Sequence, residues 1–206
     1  VPTVLRALLL AVLLTFVPVA VGVLLAGGPT APAPPPPAYT GTDLADYDAT
    51  AVAVARADFC SRIVAEAVTE ALGKEAGKAS AYANGDRVQV DGSRDVVHEY
   101  GCSYRAGRGR AEGWVFAPPV TAARARELAS ARPGDGCRRV ADAPALGGPS
   151  SAVLCPGESA TLTYAGLIGD AWLTCRLTLP GSTPEQELTQ RAGRWCVAVA
   201  KAAAVS

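Results

Sequence analysis

Six cysteines, Cys60, Cys102, Cys137, Cys155, Cys175 and Cys196, lie in a region with few large apolar side chains. Residues 43–206 hold 34 alanines but only 30 Leu, Ile, Val and Phe together. A chain so short of core-forming residues approaches the composition of disordered proteins. Its 18 basic and 19 acidic side chains nearly cancel, however, so self-repulsion does not hold it open. Cross-links supply what the apolar residues lack, as in small exported domains. No two of the cysteines stand at Cys-x-x-Cys spacing, which argues against a zinc ribbon and against a thioredoxin-type redox centre. Six cysteines read as three bridges allow fifteen pairings.

Periodicity narrows the choice. Alternation through Ala171–Leu179 puts Ala171, Leu173, Cys175, Leu177 and Leu179 on one face of a strand. Near the C-terminus, Leu188, Ala192, Trp195, Cys196 and Val199 form one stripe of a helix. Both cysteines point coreward from neighbouring elements, so Cys175–Cys196 is the expected bridge. The same logic joins Cys60, on a helix, to Cys102, on a strand. Cys137–Cys155 then closes a Gly/Pro-rich loop, and other pairings stay open.

The N-terminus imposes a second constraint. Ala7–Ala26 is twenty residues without a charge, about 30 Å of helix and enough to cross a bilayer core. Arg6 precedes it, which favours a cytoplasmic N-terminus. An uncleaved single-pass anchor is expected. Secretion after signal cleavage is the alternative, weakened by the length of the run and by Leu24 at the −3 position of the best cleavage site. No cysteine follows the run to accept a lipid. The chain has no methionine, and Val1 reads as an alternative start. Residues 27–42 contain six prolines and are expected to form an extended stalk rather than a docking motif. The expected organisation is 1–6 cytoplasmic, 7–26 transmembrane, 27–50 Pro-rich linker and lead-in, and 51–206 extracytoplasmic domain.

Within that domain the pattern alternates between helix and strand signals. Helices are expected over Asp58–Leu72, with Asp58 as N-cap and Gly73 past its end, over Thr121–Ala131, and over Thr183–Ala204 with Thr183 as N-cap. Ala51–Ala57 is a short strand or the start of the first helix. Strands are expected over Val88–Val90, Val96–Arg105, Arg110–Phe116, Ala152–Cys155, Ser159–Tyr164 and Ala171–Leu179. Gly107-Arg108-Gly109 turns one hairpin, and Gly166–Gly169 connects the last two strands. The expected fold is α+β: an antiparallel sheet with helices packed on one face, stapled by disulfides and preceded by one transmembrane helix.

Asp58-Phe59-Cys60-Ser61 opening a helix that closes on Leu72-Gly73, Gly101-Cys102-Ser103-Tyr104 on a strand, and Ala145-Leu146-Gly147-Gly148 before a strand-plus-helix ending form a pattern. It resembles the exported lipoprotein-type domains of unknown function common in actinobacteria, over about residues 50–204. Sixteen arginines against three lysines fit a GC-rich genome of that kind. The resemblance implies a cysteine-rich α+β envelope domain and brings no catalytic residue.

Few side chains stand out as chemistry. His98, the sole histidine, would need a nucleophile and an orienting carboxylate from elsewhere in the fold. Arg105, Arg108 and Arg110 cluster on one hairpin and suit phosphate or carboxylate groups of an anionic envelope polymer or phospholipid. Arg138-Arg139 reads as a solvated turn. Trp172 lies opposite Cys175, either exposed to a ligand or covered by another element; Trp114 and Trp195 are expected to pack. No motif calls for a cofactor or metal, and a net charge of zero gives no reason to expect a nucleic-acid partner. The expected work is non-catalytic binding of a protein, lipid or wall component at the membrane. The alternatives are an envelope hydrolase with a scattered site and a structural subunit of a membrane complex.

Overall fold

The structure, a computed structural model, describes residues 3–7, 39–90 and 93–205. The chain divides into Val1–Ala38 and Tyr39–Ser206. Of the first unit only a helical turn at residues 3–7 is described. No helix among the described residues is long and apolar enough to cross a membrane. From residue 8 onward, the expected anchor at 7–26 and the stalk lie outside them.

The second unit is α+β. Its main sheet has seven antiparallel strands in the order β1 (Ser80–Tyr82), β4 (Glu99–Ala106), β5 (Gly109–Phe116), β9 (Ala171–Pro180), β8 (Ser159–Ile168), β7 (Ser150–Cys155) and β6 (Arg138–Arg139). A separate hairpin pairs β2 (Arg87–Val90) with β3 (Ser93–Val96). The expected strand from Val96 to Arg105 is therefore two strands of different sheets, broken at Val97-His98. The connector expected at Gly166–Gly169 is mostly strand, because β8 runs on to Ile168 and turns only at Gly169-Asp170.

The helices are α1 (Ala65–Leu72), α2 (Ala122–Ser130) and α3 (Glu185–Ala203). Alternation in the central strands aims Val115, Leu162, Tyr164, Leu173, Cys175 and Leu177 at α3, which answers with Leu188, Trp195, Cys196 and Val199. Gly113 sets how closely α3 lies on the sheet. A Cβ there would stand 2.8 Å from a Val199 methyl, closer than packed carbons approach. Trp195 donates its indole N–H to the Glu112 carbonyl at 2.8 Å and meets Tyr104 edge-on, with ring centroids 5.8 Å apart. The lead-in assigned to the linker is part of this folded unit, with Leu44 and Ala49 buried in its core.

The expected helix from Asp58 is shorter. Asp58 does accept from the Cys60 N–H, but it caps only a 3-10 turn, Cys60–Arg62. Ile63 and Val64 are extended, and α1 begins after them. Gly73 ends α1 in the left-handed region at φ 73°, where glycine carries no Cβ penalty. At α3 the N-cap is Pro184, which offers no side-chain cap bond, so Thr183 does not fill that role. Ala51–Ala57 is neither strand nor helix start: a 3-10 turn ends at Ala51, and Val54 makes a single bridge to Ala204.

Two disulfides are present, Cys137–Cys155 and Cys175–Cys196. The first ties the loop before β6 to the end of β7; the second fastens α3 to β9. Cys60 and Cys102 are buried free thiols, so the third expected bridge is not formed. Within its 3-10 turn, the Cys60 thiol donates to the Gly101 carbonyl at 3.2 Å. Hydrogen bonding with Cys60, together with burial, pushes the Cys102 thiol well above its ordinary pKa.

The helices do not share one face. The expectation put them all together, but α2 covers the opposite side of the sheet. There Val120, Ala125 and Ala129 close over Ala165, Leu167 and Trp172. Thr121 caps α2 by accepting from the Arg124 N–H at 3.2 Å.

Candidate functional site

The sheet face away from α3 is covered by α2 at one end only, and what remains is polar. Strand alternation produces it. β4 turns Ser103 and Arg105 outward, β5 Arg110, Glu112 and Trp114, β9 Arg176 and Thr178, and β8 Ser159, Thr161 and Thr163. These residues, with Arg108 at the hairpin turn, line an open trough of about 550 Å³. Lys74 adds a further cation, its ammonium standing over Gly107.

Register makes the charge dense. Arg105 is directly opposite Arg110, and Arg176 is opposite Glu112. Like charges directly across a ladder destabilise a sheet, so the Arg105/Arg110 pair needs a counter-charge. Glu112 supplies part of it, 2.7 Å from Arg110 and 3.9 Å from Arg176. Arg105 and Arg108 are exposed and make no ion pair among the described residues. Four guanidiniums thus face one carboxylate along the trough.

The half-buried arginines are held in place. Arg110 Nε donates to Ser103 Oγ at 2.9 Å, and Arg176 Nε to Thr163 Oγ1 at 3.3 Å. The Arg176 guanidinium also lies 5.0 Å from the centre of the Trp114 ring, within the range of a cation–π contact. Thr161 and Thr178 hydrogen-bond each other across the strands at 3.0 Å. The result is a rigid rank of N–H donors and hydroxyls suited to the oxygens of phosphate or carboxylate groups.

Of the residues singled out by sequence, the structure brings Arg105, Arg108 and Arg110 together. Trp172 is separated from them, buried beneath α2 and only 4% exposed, so it offers no ligand surface. Arg176, Lys74 and the threonines were not foreseen. The alternation that aimed Cys175 inward already aimed Arg176 outward, but nothing local revealed that β9 would lie beside β5. His98 is exposed on the β3–β4 link, and its neighbours Glu99 and Ser103 are bonded to Tyr82 and Arg110. Arg138 pairs with Glu185, while Arg139 donates to the Ala129 and Ala131 carbonyls and closes the C-terminal end of α2.

The rest of the surface carries different chemistry. A larger groove of about 940 Å³ between α1 and α3 is rimmed by Glu66, Glu70, Glu75 and Glu187. Glu70 is paired with Arg194 and Glu187 with Arg191. Beside Tyr82, burial lifts the Glu99 carboxyl above its ordinary pKa, a rise that the Tyr82 hydrogen bond and the Arg176 charge partly offset. Among the described residues no three His, Cys, Asp or Glu side chains converge as metal ligands would. No protein-family model, curated protein or solved structure matches the chain.

Proposed function

We propose that this chain is an envelope protein held in the membrane by its N-terminal apolar segment, with the folded unit outside the cytoplasm as a non-catalytic binding module. The module takes an anionic envelope polymer along the arginine trough. One observation carries the reading: Arg105 and Arg108 are unpaired cations beside the pre-positioned Arg110 and Arg176, in an arrangement that costs the free sheet stability. Two disulfides in a core this thin support an oxidising location. The uncharged run Ala7–Ala26 supports the anchor.

The test uses the full chain in nanodiscs of neutral phospholipid, titrated with a glycerol-phosphate polymer. Binding is expected at low salt, weakening as ionic strength rises because the trough is open to solvent. The double variant R105S/R108S loses about tenfold in affinity, roughly 1.4 kcal/mol, and its salt dependence flattens. Equal binding by wild type and double variant overturns the reading, as does equal binding of an uncharged glucan. Tight binding only to nanodiscs containing anionic phospholipid reassigns the trough to lipid headgroups.

A further inference from the structure

A second cavity, distinct from the arginine trough, lies on the other side of the sheet. It occupies about 560 Å³ between the start of α3, the 3-10 turn Leu44–Asp46 and the loop at Pro144. That volume suits a fragment- to drug-sized molecule. Its walls include Leu44, Ala45, Pro144 and Gly193, so the lining is mostly apolar. Gly193 keeps it open: with no side chain there, α3 leaves a gap that Leu44 only borders, 3.2 Å from where a Cβ would be.

Tyr164 also lines the cavity. It is 1% exposed, and its hydroxyl is buried without a hydrogen-bond partner. The ring stands on the inner face of β8, in register with Ala152 and with Cys175 of the Cys175–Cys196 bridge. The hydroxyl is the far end of that side chain, so a ring rooted in the sheet and lining the cavity aims its O–H into it. A buried polar group left unpaired costs about 1–3 kcal/mol, and such a group in a native fold calls for an explanation. Burial raises the Tyr164 pKa, so the group is a neutral O–H that needs an acceptor. The nearby carboxylates are already engaged, Asp43 with Arg194 and Glu185 with Arg138. They neither serve Tyr164 nor seek a cationic ligand.

We propose that this cavity binds a small, largely apolar molecule carrying one hydrogen-bond-accepting oxygen, and that Tyr164 donates its hydroxyl proton to that oxygen. The rim residues Gln186 and Gln190 are exposed and close the outer end of the ligand without setting its class.

The experiment compares acetophenone, a ring with a carbonyl, with cumene, which has the same shape and no oxygen. Each is titrated into the full chain in detergent micelles and followed by the methyl resonances of Leu44 and Thr189. Acetophenone is expected to shift both methyls and to bind about fivefold more tightly than cumene. Y164F removes only the hydroxyl and reduces acetophenone to the affinity of cumene. Q190W, a change at an exposed position, fills the mouth and abolishes both. Circular dichroism confirms that each variant is folded. The proposal is overturned if neither compound shifts the methyls, or if the two bind equally to the wild type. It is also overturned if Y164F leaves the preference for acetophenone intact, because the hydroxyl is then served by water alone.

Discussion

Replacing the cysteines two at a time with alanine separates the three pairs by mechanism. Cys137–Cys155 and Cys175–Cys196 span 18 and 21 residues. In the chain-entropy model each such loop stabilises the folded state by about 3 kcal/mol. Cys175 and Cys196 are wholly buried, so their loss also leaves a small void, costing about 1 kcal/mol for each sulfur removed. C175A/C196A is therefore expected to lose about 5 kcal/mol and C137A/C155A about 3 kcal/mol. Cys60 and Cys102 are equally buried but not joined, so C60A/C102A loses only the packing share, about 2 kcal/mol. Equilibrium urea unfolding of the full chain in micelles, read by tryptophan fluorescence, measures all three. Alkylation of the denatured, unreduced wild type takes up two labels. A loss of 4 kcal/mol or more in C60A/C102A, with no label taken up by the wild type, would refute the assignment of two bridges and two thiols.

Three further outcomes follow from packing and charge. W172A removes a large side chain clamped under α2 and is expected to cost about 3–5 kcal/mol in urea unfolding, with affinity for a phosphate polymer unchanged among molecules that remain folded. G113A drives a methyl against Val199 and is expected to cost about 1–3 kcal/mol, lowering the thermal midpoint, unless α3 moves off the sheet. The Glu99 carboxyl has a raised pKa when folded, so the folded state holds its proton longer than the unfolded chain does. Its share of stability is fully present at acid pH and falls as pH rises from the ordinary carboxylate range through the raised value. E99Q should flatten that fall in a pH series of urea midpoints, whereas a steeper fall would contradict the burial of Glu99.

How much of this was legible in the sequence depends on the range of the interaction. Strand alternation in AWLTCRLTL and the stripe through Trp195 and Cys196 are local patterns, and they led to the Cys175–Cys196 bridge seen in the structure. The residues expected in α2 and α3 are largely helical for the same reason. The Cys60–Cys102 bridge rested on proximity alone, and proximity is correct. The Gly101 carbonyl nevertheless takes the Cys60 thiol, a competition between backbone and sulfur that no periodicity carries. Trp172 is a similar case. Its outward orientation was readable, but α2, some fifty residues earlier, decides that outward means covered. The arginine trough was half legible. Three of its arginines share a hairpin, while Arg176 and the threonines join them only through the β5–β9–β8 order, which is long-range topology.

The most direct test of the binding surface is where an anion lands. Arginine side-chain NMR of the full chain in neutral nanodiscs, titrated with a short glycerol-phosphate oligomer, reads this residue by residue. The largest shifts are expected at Arg105, Arg108, Arg110 and Arg176, fading together as salt is added. Shifts centred on Arg191 and Arg194, or none at any arginine, would contradict the account.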